Sequence, residues 1–218
     1  MRVGSKIRKI IKINVFAFFY FNFICKKVER RGKGYIIPYR HAVIELNKNS
    51  KIILHEGNLE VNYYCPEGSR AEAYIRLSEG AVLEVLDSVC LCYHATIELK
   101  KYAKVTIGSA YINSGAVILA AENITIGREV LISRETYIYD SDHHPIIDEM
   151  GKQLNSPKPV VIEDHVWIGL KSLILRGSRI GAGAVIAANS LVGGKIKAGT
   201  MASGNPARSY SEIRWKKD

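Results

Sequence analysis

The chain has 218 residues, 47% of them apolar, and a formal charge of +10. That is enough apolar material to bury the core of one or two domains, so a globular protein is expected. Residues 1–40 hold eleven Lys and Arg against Glu29 alone, while the rest balances twenty basic with twenty acidic side chains. This distribution excludes a nucleic-acid-binding domain whose positive charge is spread over its folded face, and it points the basic arm toward a membrane surface or an anionic partner.

In chain order, the arm comes first. It contains IIKINVFAFFYFNFI, residues 10–24, followed directly by CKKVERRGKG. The apolar run is shorter than the roughly 20 residues of a spanning helix, and no small-residue cleavage site follows it. Two expectations stand: an interfacial segment, with residues 1–35 as a peripheral membrane contact, or a helix or strand packed on the main domain. Cys25, Cys65, Cys90 and Cys92 show neither C-x-x-C spacing nor disulfide density, and are expected to be buried thiols of a cytoplasmic protein.

A repeat follows. Branched aliphatics recur every six residues at Ile162, Ile168, Ile174, Ile180, Ile186 and Val192, with Val160, Val166, Ser172, Ser178, Ala184 and Ser190 two positions before each. The same register holds at Ile126, Ile132 and Ile138, and at Val85, Leu91 and Ile97, and slips by about a residue around KKYAKVTIGSAYINSGAVIL. Period six is neither the 3.6 of a helix nor simple alternation. It predicts a coil of short strands and turns, one aliphatic per face pointing inward, each strand pairing with its equivalent one coil on. Gly169, Gly181 and Gly193 follow the aliphatic position and are expected to supply the positive φ of tight corners.

Residues 142–159, DHHPIIDEMGKQLNSPKP, break the pattern with three prolines and several charges. They predict an excursion from the coil, and loops projecting from a rigid scaffold are where chemistry is usually placed. Two adjacent histidines open it. Imidazole takes up a proton near neutral pH, although a turn histidine with no chemistry is the plainer alternative.

The six-residue column, with a small residue before it and glycine after it, resembles the hexapeptide-repeat family, whose fold is a left-handed parallel β-helix. ITIGREVLISRETYIYDSDHHPI, a loop, KPVVIEDHVWIGLKSLILRGSRIGAGAVIAANSLV and GNPAR are together similar to the maltose and galactoside O-acetyltransferase branch, which includes capsular and O-antigen polysaccharide O-acetyltransferases. The resemblance implies an all-β fold, with the β-helix expected at residues 41–205 and a tail with a short helix at 206–218, while charge and composition set the arm at 1–40 apart. It implies a homotrimer with sites at the subunit boundaries, acetyl-CoA as co-substrate, a carbohydrate acceptor and no metal.

Residue by residue, the family's general base falls on His143 by counting five on from Ile138, or on His144 by counting back from Pro145. The coil register favours His143, because it fixes the direction of a side chain. Asn113 matches the asparagine that orients the acceptor hydroxyl, with a turn-forming role as the alternative. Trp167 matches the aromatic beside the acceptor and the pantetheine arm, or packs at a corner. Gly169 and Ala188 would line the CoA groove, and Lys195, Lys197 and Arg208 would meet its phosphates. Leu170 and LVGGKIKAG depart from the family pattern on the cofactor side. The competing functions are an N-acetyltransferase acting on an amino sugar, a γ-carbonic-anhydrase-like enzyme holding a metal on His143, His144 and His165, and a non-catalytic scaffold.

Overall fold

A computed structural model describes residues 12–216 of the chain. The first eleven residues of the expected arm lie outside the described residues. From Val28 onward the chain winds through three sheets in turn, as the faces of a triangular coil. Face one has eight strands, from Val28–Arg30 to Lys195–Ile196, and face three has seven, from Ala42–Leu46 to Leu191–Val192. Face two has nine, from Ile36–Pro38 to Thr200–Gly204 and a closing strand, Ala207–Glu212. The strands Val28–Arg30 and Ile36–Pro38 pair with Lys51–Leu54 and Leu59–Tyr63, so the coil starts inside the segment expected as arm.

Successive coils pair in parallel. Val161 meets Arg179, Trp167 meets Val185 and Leu173 meets Leu191, each pair 18 residues apart, which is three hexads. The hexad aliphatics are therefore stacked. Ile162, Ile168, Ile174, Ile180, Ile186 and Val192 are completely buried, each worth roughly 1.5–3 kcal/mol as apolar surface removed from water. The second column is buried as well, and two of its three serines are reconciled with the interior by bonding to the next coil: Ser172 Oγ donates to the Ala187 carbonyl at 3.1 Å and Ser178 Oγ to that of Val192 at 2.9 Å, while the Ser190 hydroxyl has no partner among the described residues. The slip in the sequence register is a change in coil length. Lys104 pairs with Asn123, 19 residues on, because the corner before Ile112 is one residue short and the one after Ile118 is two residues long.

The corner glycines work differently from the expectation. Gly169 and Gly181 do not have positive φ. A Cβ on Gly169 would lie 2.6 Å from the Ile186 carbonyl oxygen and 2.7 Å from the Ala188 nitrogen, and one on Gly181 would lie 2.6 Å from the Ala198 nitrogen. Close approach of the next coil is what demands glycine there. The left-handed corner conformation is carried by Gly115, Gly177 and Gly183 and, at other corners, by Glu129, Glu135, His165, Lys171 and Asn189.

Face two is capped at both ends of the stack. A short helix, α1 (Val15–Phe19), runs directly into a π-helical turn, Tyr20–Ile24, across the first coil. Asn22, buried in that turn, accepts the Ile36 N–H at 2.9 Å and donates to the Ile36 carbonyl at 2.8 Å, so its carboxamide takes the place of a neighbouring strand. At the far end the expected helix is a strand: Ala207–Glu212 turns back antiparallel on Thr200–Gly204 and pairs an edge that would otherwise be open. The four cysteines are free thiols, and only Cys92 is fully buried.

The inward register can be checked on adjacent residues of one strand. Ile180→Ala should cost about 2–5 kcal/mol in urea unfolding, as a truncation within a stacked ladder. Its neighbour Arg179 is exposed and paired only with Glu163, so Arg179→Ala should cost less than about 1 kcal/mol.

Candidate active site

The chain leaves face three at Tyr139 and rejoins face one at Val160. The exit is fixed by Asp140, whose side chain is completely buried. Its carboxylate accepts the backbone N–H groups of Ala121, Glu122 and Asn123 at 2.7, 2.8 and 2.7 Å, at the same corner of the preceding coil. Three charge-assisted bonds replace the water that this carboxylate gives up. The Asp140 carbonyl also accepts the Lys158 N–H at 2.9 Å, so one residue holds both ends of the excursion.

Beyond this clamp the chain turns sharply. Ser141 Oγ accepts the His143 N–H at 3.0 Å and the Asp142 carbonyl accepts the His144 N–H at 2.8 Å, with His143 at φ 63°. The His143 ring meets Tyr139 edge-on, 5.7 Å between centroids. Tyr139 ends an outward column on face three, Glu98, Leu119 and Tyr139, aligned by the strand register. Glu98 in turn holds the Lys100 ammonium at 2.8 Å. Desolvation against this wall, helped by the Lys100 charge, pushes the His143 imidazole below its ordinary 6.5, against the opposing pull of Asp140 and Glu98. The shift favours the neutral ring, the form that can accept a proton. Burial raises the Tyr139 phenol in the same place.

His144 stands apart from this arrangement. Its carbonyl accepts from Asn155, but its ring makes no hydrogen bond or ring contact among the described residues. Asn155 is buried at the root of the excursion, where it also donates to Asp142 and accepts the Ile146 N–H, and Arg176 Nε reaches Asp142 at 2.8 Å. The root is thus braced, while Ile146, Ile147, Met150 and Leu154 are exposed at the tip.

Asn113 lies at a different edge, where the chain turns from face two to face three after Ala110–Ile112. Its Oδ1 accepts the Ser114 N–H at 2.8 Å, so the turn-forming role is real. Gly169 and Ala188 lie at the same edge in later coils, and Trp167 is half-exposed on face two beside it, with Nε1 3.2 Å from Ser133 Oγ. Arg208 pairs opposite Ser203 near the end of that edge. The two lysines do not join them: Lys195 is beside Arg179 on face one, and Lys197 is at the edge between faces one and two with its ammonium 3.5 Å from Glu212. One edge therefore carries Asn113, Gly169 and Ala188, and another carries His143. Face three separates them by the width of a short strand, roughly 10 Å at ~3.3 Å per residue.

The outward columns differ between faces. Tyr111, Leu131, Trp167 and Val185 line face two, and Val117, Tyr137, Leu173 and Leu191 line face three, on either side of the shared edge. Face one instead shows Thr106, Thr125, Val161, Arg179 and Lys195. The third histidine is occupied elsewhere: His165 stacks on Trp215 at 4.0 Å, its Nε2–H donates to the Trp215 carbonyl at 3.0 Å, and its Nδ1 lies 3.2 Å from a Glu129 carboxylate oxygen. The three histidines of the carbonic-anhydrase-like alternative thus do not converge, and no cluster of three or more His, Cys, Asp or Glu suited to a metal ion forms among the described residues.

Sequence inspection did not find Asp140, Ser141, Glu98 or Tyr139. Asp140 was within reach, since it has the inward parity of Ile138 and an acid at a buried position next to a break needs a reason. Asp140→Ala should cost at least about 2 kcal/mol in chemical denaturation, because three corner N–H groups lose their acceptor.

No protein-family model matches the chain. It is similar to a Saccharomyces cerevisiae protein named as an acetyltransferase, YJL218W, at 29% identity over 188 residues, 85% of this chain and 91% of that protein. It is also similar to an Escherichia coli protein named as a lipopolysaccharide biosynthesis O-acetyl transferase, WbbJ, at 36% identity over 107 residues. That match covers 44% of this chain and 54% of WbbJ, so the chain spans about half the length of this relative. Among solved structures, the polySia specific acetyltransferase NeuO shares the fold with a TM-score of 0.63 at 24% identity, over 89% of this chain and 91% of that one.

Proposed function

We propose that the chain is a hexapeptide-repeat acyltransferase, built on a left-handed parallel β-helix, and that it moves an acetyl group from acetyl-CoA to a sugar hydroxyl with His143 as general base. The carrying observation is the placement of His143: a clamped turn holds an imidazole shifted toward its neutral form at the mouth of the excursion, against Tyr139. A neutral imidazole on a rigid edge is suited to taking the proton of an incoming hydroxyl. Similarity to proteins named for lipopolysaccharide biosynthesis and for polySia supports a surface polysaccharide, or its precursor, as acceptor.

The reaction is a direct transfer. His143 accepts the hydroxyl proton as the sugar oxygen bonds to the thioester carbonyl carbon. The carbon–sulfur bond then breaks, and the leaving thiolate recovers the proton from the imidazolium. No protein nucleophile is needed. Backbone N–H groups at the edge stabilise the developing oxyanion, and Asn113 orients the acceptor.

Two chains complete each site in this proposal. Asn113, Gly169 and Ala188 lie one edge away from His143, so a neighbouring subunit brings its face-two/face-three edge to this chain's excursion. The apolar columns flanking that edge and the exposed apolar tip of the excursion favour a closed homotrimer. The CoA arm then runs past Trp167 and Ala188 toward Arg208.

Three outcomes are expected. His143→Ala should lower kcat by about 10²–10⁴ with acetyl-CoA affinity nearly unchanged, whereas His144→Ala should cost far less, as read by thiol release from acetyl-CoA. Full activity in both variants would eliminate the mechanism. In the wild type, kcat/KM should fall as pH drops through a value below the ordinary 6.5 of imidazole, because protonated His143 cannot accept a proton. Finally, inactive His143→Ala and Asn113→Ala chains, denatured together and refolded, should regain activity that neither has alone, since a mixed oligomer recreates intact sites. Failure of that mixture, with each parent inactive and the mixture assembled, would mean that the site is not shared.

A further inference from the structure

The amino-terminal cap closes the coil with one side and leaves the other bare. Phe21 and Asn22 face the core and the Ile36 backbone. On the other side Val15, Phe16, Phe19, Tyr20, Phe23 and Ile24 are exposed, Phe16 by 91%. Phe18, Phe19, Phe23 and Tyr35 form one connected group, with Phe19 and Phe23 5.8 Å apart between centroids, Phe18 stacked on Tyr35 at 6.0 Å and Phe23 6.4 Å from Tyr35, and Phe16 precedes Phe19 by three residues on the same helix. Nothing in the coil needs this surface, and leaving so much aromatic area in water marks a contact site.

Charge selects the occupant. The Arg30 guanidinium sits over Phe23 at 5.3 Å and over Tyr35 at 4.8 Å, and Lys12, Lys26 and Lys33 are exposed in the same terminal segment. Residues 1–40 carry eleven basic side chains against one acidic. A second copy of the chain would bring an equally basic patch against this one, which opposes self-association. Aromatic rings rimmed by Lys and Arg match the boundary between anionic headgroups and acyl chains. No helix among the described residues is long and apolar enough to cross a membrane, so this contact lies on the surface.

We propose that the amino-terminal cap docks the coil end-on against an anionic lipid bilayer, inserting Phe16, Phe19, Phe23 and Ile24 among the headgroups while Arg30, Lys26 and Lys33 pair with lipid phosphates. Docking places the amino-terminal end of the coil at the membrane and keeps the edges carrying His143 and Asn113 clear of the bilayer. This inference does not depend on the acyl-transfer proposal.

The test uses the full chain and sedimentation with vesicles of phosphatidylcholine alone or with roughly a third phosphatidylglycerol. The wild type should co-sediment with the anionic vesicles and be released by salt. Phe16→Glu, at a side chain that supports nothing in the fold, should lower the partition coefficient at least about tenfold with an unchanged thermal melt. The double variant Lys26→Glu, Lys33→Glu should lower it comparably and weaken the salt dependence. Phe16→Trp should show blue-shifted emission quenched by brominated acyl chains. Equal binding to neutral vesicles, unaltered binding in Phe16→Glu, or a tryptophan that stays in water would overturn the proposal. So would a Phe16→Glu variant that dissociates a larger assembly in light scattering while vesicle binding is unaffected, because the patch would then be an interface between copies.

Discussion

Everything in this molecule depends on one backbone constraint: each coil must hydrogen-bond in register with the next, at the spacing of parallel strands. The constraint aligns the inward aliphatics into ladders and so produces the core. It also limits what a corner can hold. Gly169 is glycine because the Ala187–Ala188 backbone passes directly over it, and buried serines are tolerated where the next coil offers a carbonyl. A change in coil length must be absorbed at corners, as it is around Ile112 and Ile118, because the strands themselves cannot shift without turning every side chain to the opposite face.

The same constraint accounts for the two ends and for the break in the middle. An end strand has an unpaired edge, and on face two the chain covers the first with the Asn22 carboxamide and the last with an antiparallel strand. The excursion interrupts winding without interrupting stacking, because Asp140 ties the departure point to the coil before and Lys158 to the return. A rigid departure point is what an active-site turn needs. His143 inherits its position from the ladder through four intervening residues, Tyr139 to Asp142, each of which has an identified partner.

Much of this was legible in the sequence, and the reasons for the remainder are physical. Period six gave the coil, its inward columns and the excursion, because a repeated backbone geometry imposes a repeated side-chain requirement. The caps were not legible, since Asn22 and the closing strand act once, through side-chain or antiparallel pairing that has no period. The terminal helix was expected from resemblance alone and proved to be a strand, as an open sheet edge was there to be paired. Lys195 and Lys197 are basic residues near the end of the chain, but sequence proximity does not fix a face: the register puts them on face one and at its far edge, apart from Ala188 of the same chain. The register favours His143 over His144, and of the two rings it is that of His143 that meets Tyr139. The wall of Glu98, Leu119 and Tyr139 needed coil lengths that differ from 18, which a fixed period cannot supply.

The central claim is that one chain's excursion and another chain's edge form a single site around the thioester. A structure of the assembled protein with coenzyme A bound would test it most directly. The account predicts the CoA sulfur within reach of His143 of one chain, with the pantetheine arm along the Trp167 and Ala188 edge of a neighbour. Coenzyme A held wholly by one chain, or with its sulfur at an edge remote from His143, would contradict it.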